Sequence, residues 1–483
     1  MIVPVLGYAP DADPSIIGVI TNCSAVVPSI RGVKGAPSAV ASGMATLAAT
    51  CTGSAVITKL DGTNRLFAGT ATKIYEAGAS TWTDVSAAIT YTGTAATSRW
   101  RYAQQGNVTL AVNGADSVQA SVSTGNFTTL PSTPIASIVE VVNQFVLVFN
   151  TSTNTSGWQC SALGDYTLWT TSIATQATSG TLTSSPGPIT AGRRFGDAVV
   201  VYKRDSMFLG VYVGPPTVWN FQQIPGKVGA NSQECVVNVG TADNPVHLYM
   251  GDDDFYKYDG SKPVPIGSNR VKETVFGAFL RSRYYACTAL HDRQNSRVYF
   301  YYPTIDSAQP DKCVVYNYHT DKWGVDDRQI EAATDYVAAA ITYDGLGAVY
   351  ATYDALPNLA YDQAFIAISK PIPAVFDTSH VLKTLNGVAT TTSFTTGDLG
   401  DQTQFNTLNR IRPKFLTAPT SATMTNYYRN NIGDALTADA TTALSSGTFD
   451  VIRDARWHRL MFTMVGDWEM PGFTPEYAES GLE

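Results

Sequence analysis

Short runs of β-branched and aromatic residues alternate with clusters of Gly, Asp, Asn, Ser and Pro along almost the whole chain. Arg65-Leu-Phe-Ala-Gly-Thr, Lys73-Ile-Tyr-Glu and Trp82-Thr-Asp-Val-Ser are three such runs in succession, each closed by a turn-forming cluster. This pattern predicts short strands. Asp61-Gly62, just before them, reads as a type I′ hairpin turn, because Gly accepts the positive φ that turn requires. Asp259-Gly260 and Asp344-Gly345 repeat the device. Three runs are apolar nearly throughout: Phe145-Val-Leu-Val-Phe, Ala198-Val-Val-Val-Tyr and Val298-Tyr-Phe-Tyr-Tyr. They are expected to be strands buried on both faces. Only Asn269 to Ser282 has a helical period, with Val271, Val275, Phe276, Phe279 and Leu280 near one face. Gly277 weakens that segment, which reads as a short helix packed on a sheet.

A longer period organises the strands. Each strand-rich unit ends in an aromatic residue after a turn: Trp82, Phe127, Trp169, Trp219, Tyr258 and Trp323, separated by 45, 42, 50, 39 and 65 residues. A period near 40 to 50 with about four strands per unit is the mark of a β-propeller. The last interval is long because the helical segment lies within it. Six blades from about residue 53 to 365 are expected, with five or seven as alternatives.

Both ends of the chain differ from this repeat. Residues 1–52 are rich in Ala, Ser, Pro and Gly and read as an N-terminal arm. Residues 366–483 lose the repeat but keep strand-like runs: Arg410-Ile-Arg-Pro-Lys-Phe, Ala422-Thr-Met-Thr-Asn-Tyr-Tyr, Phe449-Asp-Val-Ile-Arg and Arg459-Leu-Met-Phe-Thr-Met-Val. They read as a β-sandwich-like C-terminal domain. Propeller closure brings the ring's two ends together, so arm and C-terminal domain are expected to form one platform.

Composition narrows the function. Of 483 residues, 44% are hydrophobic and 11% aromatic, enough for a core and too many for disorder. Only 15% are charged, and the net charge is −8, which argues against a general nucleic-acid binder needing a basic face. The densest apolar stretch, Ile138 to Phe149, contains Glu140, Asn143 and Gln144. It is also shorter than the ~20 residues a bilayer span needs, so no membrane insertion is expected. The first basic residue is Arg31, which gives no basic leader for a secretory signal. The six cysteines stand singly, without C-x-x-C pairs, and read as reduced, mostly buried residues of a chain made in a cytoplasm.

Candidate chemistry is thin. A sialidase-like propeller site needs clustered Arg, a Tyr nucleophile and an acid. Arg99, Arg101, Arg193, Arg194 and Arg204 are available, but no spacing selects a set. Ser161-Ala-Leu-Gly-Asp165-Tyr-Thr-Leu-Trp169 resembles an Asp-box hairpin with Gly and Asp in the wrong order. Asp252-Asp253-Asp254 invites a calcium reading, yet the spacing fits no EF-hand loop, and a solvated acidic hairpin is favoured. The five histidines lie far apart, and no phosphate loop, nucleophile elbow or zincin motif occurs. Arg410, Arg412 and Lys414 alternate on one strand face, and Arg453, Arg456 and Arg459 cluster loosely. Either set could grip phosphate, but in an acidic protein salt-bridged subunit contacts are their expected use. No catalytic, cofactor-binding or metal-binding residue is assigned.

Several segments, taken in order, resemble the tail hub or nozzle proteins of short-tailed bacteriophages. Gly7-Tyr-Ala-Pro-Asp-Ala-Asp-Pro, Pro28-Ser-Ile-Arg-Gly and Gly35-Ala-Pro-Ser are similar to the family's opening. The runs at Arg65, Lys73 and Trp82 resemble its first blade, and Trp100-Arg-Tyr-Ala-Gln-Gln-Gly-Asn the start of its second. Leu163-Gly-Asp-Tyr-Thr-Leu-Trp and Val315-Tyr-Asn-Tyr-His-Thr-Asp-Lys-Trp resemble blade ends. Arg453-Asp-Ala-Arg-Trp-His-Arg, Gly466-Asp-Trp-Glu and Gly472-Phe-Thr-Pro-Glu with Gly481 resemble its ending.

The resemblance implies a structural virion protein without enzymatic activity or cofactor. Such proteins form a ring, usually a homo-hexamer, below the portal and the adaptor (head-to-tail connector). The ring extends the DNA ejection channel, supports tail fibres or spikes, and is plugged until ejection. The implied location is the virion tail, assembled in the host cytoplasm, with DNA passing through unbound. The acidic balance suits a passage that repels phosphate. The alternatives are a propeller glycosidase or lectin acting on host surface glycans, and an adhesin near the tail fibres that binds the host surface.

Overall fold

A computed structural model describes residues 2–337 and 371–482 of the chain. The strands assemble first into antiparallel sheets of four. Six of these lie in sequence order within 53–84, 101–129, 136–181, 191–224, 236–265 and 288–325. The sixth is extended by Val26–Pro28, Val33–Gly35 and Glu469–Met470. A seventh sheet joins Ile330–Tyr336, Ile372–Asp377, Leu382–Gly387 and Ser38–Ala41. The first strand of each sheet lies beside the first strand of the next, and Ile330–Tyr336 returns to Gly53–Thr58. The ring therefore closes, which is the geometry of a β-propeller.

Six expected units thus become seven sheets among the described residues. The unexpected sheet carries no local repeat because its outermost strand, Ser38–Ala41, comes from the start of the chain and pairs with Leu382–Gly387. The expected boundaries change with it. Residues 38–41 and 372–387 belong to the ring, not to the arm or the C-terminal domain. The 365/366 boundary and the Asp344-Gly345 turn lie outside the described residues.

The three apolar runs are the second strands of their sheets, and Phe145, Leu147, Phe149, Val199, Val201 and Phe300 are fully buried. Each such side chain contributes roughly 1.5–3 kcal/mol of burial. Adjacent sheets share these cores: Phe145, Phe149 and Trp158 of the third pack with Val199, Val201 and Trp219 of the fourth. The ring is held by sheet-on-sheet packing rather than by ladders between sheets.

The expected hairpin turns differ in type. Gly62 and Gly260 have positive φ (81° and 98°), but Asp61 and Asp259 do not, which excludes type I′. Instead each carboxylate accepts bonds from the backbone and hydroxyl two residues on, Asp61 from Thr63 and Asp259 from Ser261. The Asp side chain closes the loop itself.

The helix is Lys272–Ala278, shorter than expected, with Val275 and Phe276 buried. It ends where Phe279 turns extended, and a 3₁₀ segment, Arg281–Ala286, follows. Asp11 from the arm caps the helix, accepting from the Glu273 and Thr274 amides at 2.6 and 3.0 Å.

Two further sheets pack face to face. One runs through Gly7–Tyr8, Val19–Ser24, Thr391–Thr396, Trp457–Val465 and Ser421–Arg429. The other pairs Val3–Pro4, Gly472–Leu482, Gln404–Lys414 and Phe449–Ala455. Here burial alternates, as in Trp457–Val465, where His458, Leu460, Phe462 and Met464 point inward. That period of two marks sheets wet on one side. Their shared core holds Ile20, Phe394, Leu408, Ile411, Met424, Phe449, Phe462 and Phe473. Strands from both ends of the chain are interleaved in it. No helix among the described residues is long and apolar enough to cross a membrane.

Candidate functional site

The mouth of the ring's axial tunnel gathers charged residues that face one another across sheets. It forms where the chain enters the innermost strands. Arg101 begins the inner strand of the second sheet, and Glu234 precedes that of the fifth. They meet across the ring in a two-pronged ion pair, Nε–Oε1 at 2.6 Å and Nη2–Oε2 at 3.0 Å. Arg101 Nη1 also donates to the Ser137 carbonyl of the third sheet at 2.6 Å. One side chain therefore ties three sheets together. Burial alone would raise the Glu234 carboxyl, but the Arg101 charge and its hydrogen bonds hold it below the ordinary glutamate value.

Around this pair stand Arg99, Tyr285 and Glu331. The Arg99 guanidinium lies 5.9 Å from the Tyr285 ring centre, and burial lowers its pKa. Glu331 accepts from the Cys51 amide at 2.8 Å and faces His380 Nδ1 at 2.7 Å. The 3₁₀ segment lays Tyr284 and Tyr285 over the mouth, with the Arg204 guanidinium 4.8 Å from the Tyr284 ring centre. A cavity of about 50 Å³ is left between these groups, lined in part by Thr52, Arg99, Glu234, Tyr285 and Glu331. That holds a water or two and no substrate.

The arginines weighed for a sialidase-like set do not form one. Arg99 and Arg101 are at the mouth, Arg101 committed to Glu234. Arg193 donates to the Gln233 carbonyl at 3.2 Å and lies 3.9 Å from Glu140. Arg194 turns outward to the Gly196 carbonyl. Arg204 pairs with Asp252. The Asp-box-like segment is a local turn: Asp165 accepts from the Thr167 amide and hydroxyl at 2.8 and 2.6 Å, and Trp169, 3% exposed, plugs the space beside it.

The Asp252–Asp254 run is the loop of the hairpin joining His247–Met250 to Phe255–Tyr258, with Asp253 exposed as expected but Asp254 buried. Asp252 pairs with Arg204 and Arg281, and Asp253 accepts from the Tyr256 hydroxyl. Asp254 is buried and accepts from the Phe255 and Gly267 amides at 2.7 and 3.0 Å. Its carboxylate organises the turn before the helix. Among the described residues no group of three His, Cys, Asp or Glu is placed to hold a metal. Four of the C-terminal basic residues form ion pairs within the chain: Arg410 with Asp450, Arg412 with Glu476, Arg453 with Asp439 and Arg459 with Asp398. Glu234, Tyr284 and Tyr285 were not legible as site residues, because no local spacing links them to Arg101.

No family model and no curated protein matches the chain. Among solved structures, the computationally designed Ika8 protein is 10% identical, covering 73% of this chain and 100% of its own, with a TM-score of 0.38. YCF48 from Cyanidioschyzon merolae is also 10% identical, covering 73% of this chain and 99% of its own, with a TM-score of 0.37. Hsv2 from Kluyvelomyces marxianus is 10% identical over 49% of this chain and 69% of its own, with a TM-score of 0.27.

Proposed function

We propose that the chain is a structural component of a short bacteriophage tail, a nozzle or hub whose copies form a ring around the DNA passage. The ring of sheets is read as a seven-bladed propeller closed by Ser38–Ala41, and the interleaved sandwich as the platform that joins copies. The observation that carries this reading is the meeting of the two family-like ends. Ser29 and Arg31 of the opening bond Glu469 of the ending, at 2.9 and 3.3 Å. Gly35 lies against Trp468, where a Cβ would come within 3.1 Å of the indole nitrogen. Segments chosen from opposite ends of the sequence thus lie in one joint.

The tunnel geometry refines the proposal. The Arg101–Glu234 pair spans the ring between its second and fifth sheets, so the DNA passage is taken to be the space enclosed between copies. In a ring of six, copies at −8 each carry −48. Acidic walls keep a phosphate backbone centred and mobile.

The chain acts by shape and charge, as a non-enzymatic part of the virion. It holds the adaptor on one side and fibres or spikes on the other. Native mass measurement on the purified chain and on particles tests this: ring-sized assemblies, or the chain as a stoichiometric particle component, are expected. A strict monomer that is also missing from particles contradicts it. Turnover in a glycosidase panel, or binding on a glycan array, favours the glycan-active alternative.

A further inference from the structure

A cleft of about 730 Å³ lies at the seam between the sixth and seventh sheets and the sandwich, within the size range of small-molecule sites. Its floor holds Arg297, only 2% exposed. Arg297 Nε donates to the Pro28 carbonyl at 2.7 Å, while Nη1 is buried with no hydrogen-bond partner. Lys34 lines the same cleft. Burial, and then the nearby Arg297 charge, push its ammonium below its ordinary pKa. Among the described residues no carboxylate comes within 4.0 Å of either cation.

Three carboxylates border the cleft, and each already has donors. Asp292 accepts from the Asn295 amide and side chain at 3.1 and 2.7 Å. Asp467 accepts from the Ala389 amide at 2.9 Å. Glu469 takes Ser29 and Arg31. Each carboxylate keeps lone pairs, but among the described lining residues the one buried side-chain polar atom without a partner is the Arg297 Nη1 donor. A buried donor without a partner costs free energy that a ligand oxygen recovers.

We infer that this cleft binds a small organic oxyanion, a carboxylate or phosphate carried on a hydroxylated frame. Arg297 and Lys34 take the oxyanion. Gln294, Asn386 and Thr417, which also line the cleft, meet the hydroxyls. The site does not depend on how copies assemble.

Calorimetric titration of the full chain with glucuronate, glucose 6-phosphate and glucose tests the inference. At least one of the two anions is expected to bind, and which one does identifies the oxyanion; glucose is expected not to. Lys34→Gln is expected to weaken binding about tenfold, as loss of one charge-assisted bond does, and Lys34→Arg to retain it. Lys34 is partly exposed and its replacement leaves the Arg297 packing intact, so these variants keep the test free of misfolding. Absence of binding by both anions up to about 10 mM overturns the inference. So does equal binding of glucose, or unchanged affinity in Lys34→Gln.

Discussion

The Arg101–Glu234 pair gives a quantitative test of how the ring is locked. Arg101→Met leaves the Glu234 carboxylate without its partner, and Glu234→Leu leaves Arg101 likewise. Breaking a fully buried pair costs about 3–5 kcal/mol. Here the side chains are 13% and 23% exposed, so about 2–3 kcal/mol is expected for each single change. The double variant removes both charges and is expected to lose only about 1 kcal/mol, because two apolar groups need no partners. Unfolding entropy of about 2.1 cal/mol/K per residue makes 1 kcal/mol worth about 1 °C for the whole chain, and more if the ring melts alone. Differential scanning fluorimetry is then expected to show drops of about 2–3 °C for the singles and about 1 °C for the double. Acid adds a second readout. The folded Glu234 carboxyl lies below its unfolded value, so its contribution is full above the ordinary glutamate range and fades as pH falls through the folded value. The wild-type advantage over Glu234→Leu should therefore shrink in acid. A double variant as damaged as the sum of the singles refutes the coupling.

Four other outcomes follow from named contacts. Trp169→Ala should cost about 3–5 kcal/mol, read by thermal or urea melting, since the indole is buried and donates to the Tyr166 carbonyl at 2.8 Å. His247 is fully buried between the Tyr202 hydroxyl and the Arg194 carbonyl, and burial lowers its pKa to about 4. Its folded value is below the unfolded one, so about 3 kcal/mol of stability present above pH 6.5 fades towards pH 4, and His247→Phe should flatten that part of the melting profile. All six cysteines are free, and burial raises the pKa of each, so a thiol reagent at neutral pH should label the native chain slowly and all six after denaturation. Outer strands of the ring's other four-stranded sheets run two to four residues, but Val218–Ile224 has seven and no charge, so Gln222→Lys should reduce light scattering on heating without lowering the melting temperature.

Much of the ring was legible because its signals are local. A second strand such as Phe145–Thr151, buried on both faces, reads as a continuous apolar run wherever it occurs. The aromatics that close each unit are likewise local, since Trp82, Trp219 and Trp323 sit on the fourth strands of their sheets and Trp169 in the loop before one. The seventh sheet was not legible, because pairing Ser38–Ala41 with Leu382–Gly387 is a long-range event with no trace in either segment. The turn chemistry was present but misread. Asp61-Gly-Thr63, Asp165-Tyr-Thr167 and Asp259-Gly-Ser261 share an acid two residues before a hydroxyl, and in each the carboxylate caps the turn. Part of the acidic excess thus serves loops rather than a channel wall. Among the charged groups, spacing could not pair Arg101 with Glu234, or reveal that Arg297 lies buried under a cleft.

The central claim is that copies of this chain close into a ring around an open passage. Electron-microscopy class averages of the purified chain, concentrated and mixed with its adaptor, address it most directly. The account predicts six-fold rings of about 310 kDa, from six chains of 51.7 kDa, with an open lumen between copies and each copy's own tunnel closed. Particles that remain single chains on the adaptor, or rings whose centre is filled by protein, contradict it.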